Sequence, residues 1–353
     1  MYVQPLTRDR GEALRYETKP MTEPGLPASG VRRVAGLIAG QDGEGRMSAA
    51  ESEIKLICVL GPTISSIVSA FIRWSGLATL IRYTIARNRV SILVYHNPSR
   101  EVFERHLGYL VTRYNFVSLG ELVDAMSADR WRNLPSRALV VTFDDGHQGN
   151  VELVDLFVRY GVRPTIYVCS QIVGTNRHYW FLECKNPEQL NGLPNAERLA
   201  ALGKSGFSLT REYPERQALS NEEMARMNGS VDFGAHTRFH PLLTTCRDAE
   251  SASEIGLART EIERSMGEAC LDLSYPNGDY GEREVALARR AGYRSARTID
   301  LGWNTKRTDP FRLKVLGTED DASINRLASD LTGITGYLAR LRLGSLSGRP
   351  PRS

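Results

Sequence analysis

The chain is short of cysteine and arranges none of it for metal binding. Its five cysteines, Cys58, Cys169, Cys184, Cys246 and Cys270, are scattered, odd in number and free of any Cys-x-x-Cys pair. That argues against a disulfide framework or a thiolate zinc site and favours a reducing compartment. An excess of charge is also missing: Lys+Arg 45 against Asp+Glu 41 leaves +4 over 353 residues. With no basic stripe interleaved with aromatics, a nucleic-acid partner is not expected. Long hydrophobic runs are lacking too. The best, Leu56 to Ile72, has 17 uncharged residues but is broken by Gly61, Pro62, Thr63, Ser65, Ser66 and Ser69, at the lower limit for a membrane span. Glu51 and Glu53 precede it and no small-x-small cleavage site follows, against a signal peptide. The run reads as a helix packed on the domain or lying on a bilayer surface, with a true anchor as the alternative. Arg73, Arg82, Arg87 and Arg89 follow it; if the run spans, the positive-inside rule puts everything downstream in the cytoplasm, and together with the cysteine usage these arginines favour a cytoplasmic, peripheral or weakly anchored domain.

What is present is ordinary globular composition, 41% hydrophobic and 24% charged, in an orderly arrangement. Residues 1–50 are rich in Gly, Pro, Arg and Glu without apolar periodicity and read as a disordered leader. Residues 51–89 form an apolar or amphipathic helical segment, and 337–353 a basic flexible tail with Arg340, Arg342, Arg349 and Arg352. Between them, strand and helix signals alternate over 90–328. Val90 to Tyr95 and Ala138 to Phe143 are β-rich runs, Val102 to Val111 and Val151 to Tyr160 helical stripes, and Pro164 to Cys169 the next strand. Later strands fall at Val231 to Ala235, Leu271 to Tyr275, Tyr293 to Ile299 and Phe311 to Leu316, with helices near 249–266 and 282–291. Parallel strands with right-handed crossovers follow, and six or seven such units suit a closed or nearly closed barrel. Residues 171–230 interrupt the rhythm as a long insertion. His178, Tyr179, Trp180 and Phe181 cluster at its start, and Trp180 is a candidate to stack on a sugar ring.

Two pairs of residues carry chemistry. The strand Ala138 to Phe143 runs into Asp144, Asp145 and Gly146, placing adjacent carboxylates where barrels collect catalytic groups. One can bind a metal while the other faces the reacting water, and Gly146 allows the sharp turn. The strand Val231 to Ala235 ends in His236, with His240 four residues on. At that spacing two imidazoles share one face of a helical turn. With Asp145 they make a two-His, one-carboxylate set, the kind that holds a catalytic divalent ion. Only six His occur in the chain.

Thr142-Phe143-Asp144-Asp145-Gly146, His236-Thr237-Arg238-Phe239-His240-Pro241 and Ser274-Tyr275-Pro276-Asn277-Gly278, in that order, resemble the polysaccharide deacetylase family (NodB homology, carbohydrate esterase family 4). The resemblance runs from about Val90 to Ala328. It implies an α/β fold, a distorted (β/α) barrel, with a divalent metal, commonly zinc, and hydrolysis of acetyl groups on glycans containing N-acetylglucosamine. Carried over by position, Asp144 resembles the general base, Asp145, His236 and His240 the metal ligands, and Tyr275 and Pro276 the groove lining.

The chain departs from the family pattern twice. Where the family has an Arg two residues before the motif Pro, supporting the catalytic Asp, this chain has Ser274; and no His follows His240 to supply the usual acid. His96, ending the run Ile92-Leu93-Val94-Tyr95-His96, is assigned that acid role because barrel closure makes the first and last strands neighbours. His147 and His178 are its rivals, and His147 is also placed among substrate-contacting residues. Asp300 and Trp303 faintly resemble a further family motif. An iron-oxygenase facial triad uses the same ligand types, but the βα alternation and the Asp-Asp pair disfavour it. A catalytically silent glycan-binding module is the remaining alternative, and retention of Asp144 argues against it.

Overall fold

The structure is a computed structural model that describes residues 65–337. The expected leader over 1–50, the first part of the apolar run and nearly all of the 337–353 tail lie outside the described residues.

Residues 65–74 form helix α1, followed by α2 (Leu77–Tyr83). Then come β1 (Ser91–Tyr95), α3 (Arg100–Leu110), β2 (Asn115–Phe116), α4 (Leu119–Ser127), β3 (Ala138–Phe143), α5 (Val154–Tyr160) and β4 (Thr165–Val168). The insertion holds α6 (Asn195–Gly203) and α7 (Asn221–Met227). Beyond it lie β5 (Asp232–Ala235), α8 (Asp248–Met266), β6 (Asp272–Ser274), α9 (Glu282–Arg290), β7 (Ser295–Leu301), β8 (Leu313–Val315) and α10 (Ile324–Asp330). Sequence patterning reveals most of these; it misses the two-residue β2, the helices α6, α7 and α10, and also α4, although Leu119, Leu122 and Val123 recur at helical spacing behind the Ser118-x-x-Glu121 start signal. The stripe expected from Val151 begins instead as a 3₁₀ turn, Gln148–Leu153, before α5.

All strand pairs of the sheet are parallel, in the order β1-β3-β4-β5-β6-β7-β8, with β2 added beside β3. The ends then approach each other. The Leu316 N–H donates to the Ile92 carbonyl, and Val90 and Asn304 exchange two backbone bonds. The result is a nearly closed parallel barrel. Alternation along the strands sorts its two faces. Leu93, Tyr95, Leu139, Val141 and Phe143 pack outward with Phe103 and Leu107 of α3 and Phe157 of α5. Ile92, Val94, Val140, Tyr167, Leu313 and Val315, drawn from β1, β3, β4 and β8, meet one another inside. Extending the inward set along β3 through Thr142 brings Asp144 over the barrel interior.

Helix starts are signalled locally. Ser118 and Glu121 close a capping box on α4, and Ser220 and Glu223 do the same on α7. Gly161, in the left-handed region, ends α5.

Candidate metal and catalytic site

Asp145 follows the inward-facing Asp144 but takes φ 69°, and Gly146 takes φ 73°. The chain therefore turns off the strand at once. A side chain at 146 would meet Val168 Cγ1 at 2.7 Å, so the third residue of the motif must be glycine. Asp145 is thereby swung toward His236 and His240, and its Oδ1 lies 3.6 Å and 3.4 Å from their Nε2 atoms. The three side chains are buried with their ligand atoms within 4.8 Å of one another.

The two histidines do not meet on a helical turn, as their spacing suggested. Residues 236–240 form a loop in which Thr237 (φ 66°) and His240 (φ 58°) are both left-handed, an arrangement that non-glycine residues hold only when their surroundings impose it. Here the Thr237 hydroxyl accepts the His240 N–H at 3.1 Å. The buried Glu254 carboxylate accepts the N–H groups of Arg238 and Phe239 at 2.8 and 3.0 Å.

Protonation geometry fits this group to a cation. His236 Nδ1 donates to the Ser274 carbonyl at 2.8 Å. A carbonyl only accepts, so the proton is on Nδ1 and a lone pair is on Nε2. That lone pair faces Asp145 Oδ1, a buried oxygen without a hydrogen-bond partner. Two electron-rich atoms confronted in this way call for a positive charge between them. His147 Nε2 donates to the other oxygen, Oδ2, at 3.2 Å. Burial opposes the Asp145 charge, but the His147 bond and the imidazoles of His240 and His236 outweigh it and hold the carboxyl well below the usual range. Burial lowers the His240 pKa to about 4, keeping the ring neutral as a ligand must be.

Asp144 lies beside this group, with Oδ2 3.9 Å from His236 Nε2. The arginine that Ser274 seemed to forfeit is present on the next strand. Ser274 of β6 pairs in register with Arg297 of β7. The fully buried Arg297 guanidinium donates through Nη2 to Asp144 Oδ2 and, at 2.5 Å, to Ser274 Oγ. It also lies 5.4 Å from the centre of the Tyr167 ring, over the inner core. Burial alone would raise the Asp144 carboxyl; Arg297 first, then His236 and His96, bring it below the ordinary carboxylate range. The missed signal was an arginine in the middle of a strand whose neighbours are all buried.

His96 follows β1, whose Tyr95 pairs with Phe143, so the exposed His96 stands at the same end of the barrel as Asp144. Its backbone is fixed on both sides. Asp320 accepts the N–H of His96 at 2.9 Å and that of Asn97 at 2.7 Å, while Asn150 Nδ2 donates to the His96 carbonyl at 2.8 Å. Sequence reasoning did not single out Asp320. Of the rivals, His147 is engaged by Asp145, and His178 is held by Glu183 and the Glu215 carbonyl and stacked on Tyr213.

The other expected contacts are corrected. Trp180 is buried, with its indole N–H donating to the His240 carbonyl at 2.8 Å and Arg198 4.9 Å from its ring centre. It offers no face to a sugar. Tyr179 is likewise buried and donates its hydroxyl to the Asp145 carbonyl at 2.5 Å. The half-buried Phe181, 4.7 Å from the His240 ring, is the member of this cluster beside the Asp145, His236 and His240 group that keeps some exposure. Tyr275 is also buried, bonded to the Phe311 carbonyl and stacked on Tyr280, and Pro276 is buried beside it. Their loop exposes Asn277 instead, at φ 54°. Asp300 accepts from Tyr280, and Trp303 lies under Arg89; neither joins the ligands. A cleft of about 490 Å³ among Asp232, Asp272, Arg163 and Arg294 lies at the start of the strands, away from these ligands, and its acids and arginines pair with one another.

Comparison with known proteins bears on the family and the fold. Residues 132–296 match the polysaccharide deacetylase family. The chain is 22% identical over 225 residues to YxkH of Bacillus subtilis, a polysaccharide deacetylase by name; the match covers 61% of this chain and 66% of that protein, just under two thirds of its length. In fold it is similar to the Streptococcus pyogenes deacetylase PplD in complex with acetate (TM-score 0.52, 17% identity, 69% of this chain and 98% of that one). It is also similar to IcaB from Ammonifex degensii (TM-score 0.51, 17% identity, 69% and 97%). The ordered Asp-Asp-Gly, His-x-x-x-His and Tyr-Pro-Asn-Gly segments fall within residues 132–296, the part of the chain that matches the polysaccharide deacetylase family.

Proposed function

We propose that the protein is a divalent-metal-dependent hydrolase that removes N-acetyl groups from a glycan containing N-acetylhexosamine, with zinc as the metal. The observation that carries this reading is the confrontation of Asp145 Oδ1 with the unprotonated Nε2 of His236, beside a second carboxylate clamped by a buried arginine. Asp145, His236 and His240 would hold the ion, which when bound polarises the acetyl carbonyl and makes a water acidic near neutral pH. Asp144, ionised through Arg297, accepts the proton of the attacking water. His96 gives a proton to the departing amine, and amine and acetate leave. Support for acetate as product comes from PplD, whose solved structure holds it.

The test is acetate release from N-acetylglucosamine oligomers by the purified chain, stripped with chelator and reloaded with Zn²⁺ or another divalent ion. Metal-dependent release is the expected outcome. Release from O-acetyl esters alone would move the substrate class, and no release from either would leave a binding module.

A further inference from the structure

We infer that helices α1 and α2 form a docking face for an anionic lipid bilayer. Along α1, Ile67, Phe71 and Trp74 recur at helical spacing and stand 63, 67 and 74% exposed, while Ser69 and Ile72 on the other side are buried. On α2, Ala78 and Ile81 face the protein and Leu80 and Tyr83 face out; Ile85 follows, also exposed. Six large apolar side chains in 19 residues of sequence, all turned to solvent, exceed the scattered exposure normal for a soluble surface.

The identity of the occupant is argued from charge. Between Glu53 and Glu101 the sequence contains no acidic residue; of its arginines, Arg82 is buried and Arg100 is paired with Asp155, which leaves Arg73, Arg87 and Arg89 to face a partner. Arg73 packs its guanidinium 4.6 Å from the Trp74 ring centre, and Arg137 reaches Tyr83, 4.9 Å from its ring centre and hydrogen-bonded to its hydroxyl. Aromatic rings flanked by arginines, with no carboxylate nearby in sequence, suit the boundary between lipid tails and anionic headgroups.

The face lies on the bilayer rather than crossing it. The second half of the apolar run is tied to the folded domain through buried Ser69 and Ile72, an Arg73 bond to Asn325 and an Arg326 bond to Ser65. Among the described residues no helix is long and apolar enough to cross a membrane. Tyr83 is bonded to Arg137 at the start of β3, whereas Asp144 follows its end. Six strand residues separate them, roughly 20 Å, so the docked domain would hold its catalytic residues off the headgroup plane.

Flotation of the full chain with vesicles tests this. Phosphatidylcholine vesicles containing about a third phosphatidylglycerol should carry the protein, neutral vesicles should carry much less, and about 0.5 M salt should weaken the association. Phe71→Ser with Trp74→Ser should lower partitioning by about tenfold or more, the scale of burying large apolar side chains, with unchanged thermal melting. Arg87→Gln with Arg89→Gln should reduce anionic-vesicle binding selectively. Acetate release from soluble oligomers should be untouched by either pair, which separates failure here from failure of the proposed reaction. Full binding by the Phe71/Trp74 variant overturns the inference. So does failure of the native chain to bind, whether because two copies pair through this face, visible as concentration-dependent sedimentation, or because residues 54–64 cover it.

Discussion

Arg297 reaches Asp144 across the barrel interior, from the middle of β7 to the end of β3, and both side chains are buried. The same guanidinium fills the space left by the short Ser274 on the strand between them. The supporting charge for Asp144 thus comes from β7, the strand beside Ser274.

Removal of that charge should show in a pH profile. Arg297→Met leaves Asp144 buried without its cation, so the carboxyl must rise and the acidic limb of kcat/KM should move to higher pH. Activity should fall on the order of 10²-fold or more, within the range of a general base. Stability should fall by about 3–5 kcal/mol, the cost of breaking a buried pair. In the native protein the depressed Asp144 stabilises the fold above the unfolded carboxyl pKa, and that contribution is lost as pH falls through the folded value. Ser274→Arg with Arg297→Ser should restore part of the activity by returning the guanidinium to β6. An unshifted acidic limb in Arg297→Met would remove Arg297 from the tuning of the base.

The two carboxylates should separate by metal content. Asp144→Asn should bind metal normally and lose about 10²–10⁴ in rate. His236→Ala and His240→Ala should lose the metal itself, measured by elemental analysis after dialysis. Loss of metal in Asp144→Asn with retention in Asp145→Asn would exchange the two roles.

His96→Ala should keep its metal, lose most activity on amides and lose less on acetyl esters with good leaving groups, which need less help from an acid. Asp320→Asn should act through His96 and cost less, with a changed basic limb of the pH profile and little change in KM. Equal losses of His96→Ala on amide and ester would remove it as the proton donor.

Trp180 and Phe181 should behave oppositely despite being adjacent. Trp180→Ala deletes a buried ring and the donor to the His240 carbonyl, so it should weaken metal binding and cost about 3–5 kcal/mol in stability. Phe181→Ala should raise KM with little effect on the metal. A pure KM effect from Trp180→Ala would return it to the substrate surface.

Much of the frame was legible because parallel strands write themselves as short apolar runs. Ala138 to Phe143 is β3 to the residue, and the strand end delivered both carboxylates. Pairing across the barrel was harder to read. Nothing local to Ser274 tells that Arg297 will stand beside it, since their register depends on how β6 and β7 align. The His236 and His240 spacing pointed to two side chains that do meet Asp145, but through the wrong conformation, because two left-handed residues imitate the reach of a helical turn. Trp180 misled for a related reason. An indole ring suits both a sugar platform and a buried hydrogen-bond donor, and only its surroundings decide.

The bonds from Tyr179 to the Asp145 carbonyl and from Trp180 to the His240 carbonyl make the inserted segment part of the support beneath the Asp145, His236 and His240 group. An excursion that only decorated the surface could be shortened or exchanged between lineages at little cost. Here, trimming the chain to a bare barrel would strip the donors from two buried carbonyls, each on a residue of the ligand group. Any shorter descendant would have to supply new donors at those two places before it could shed the segment.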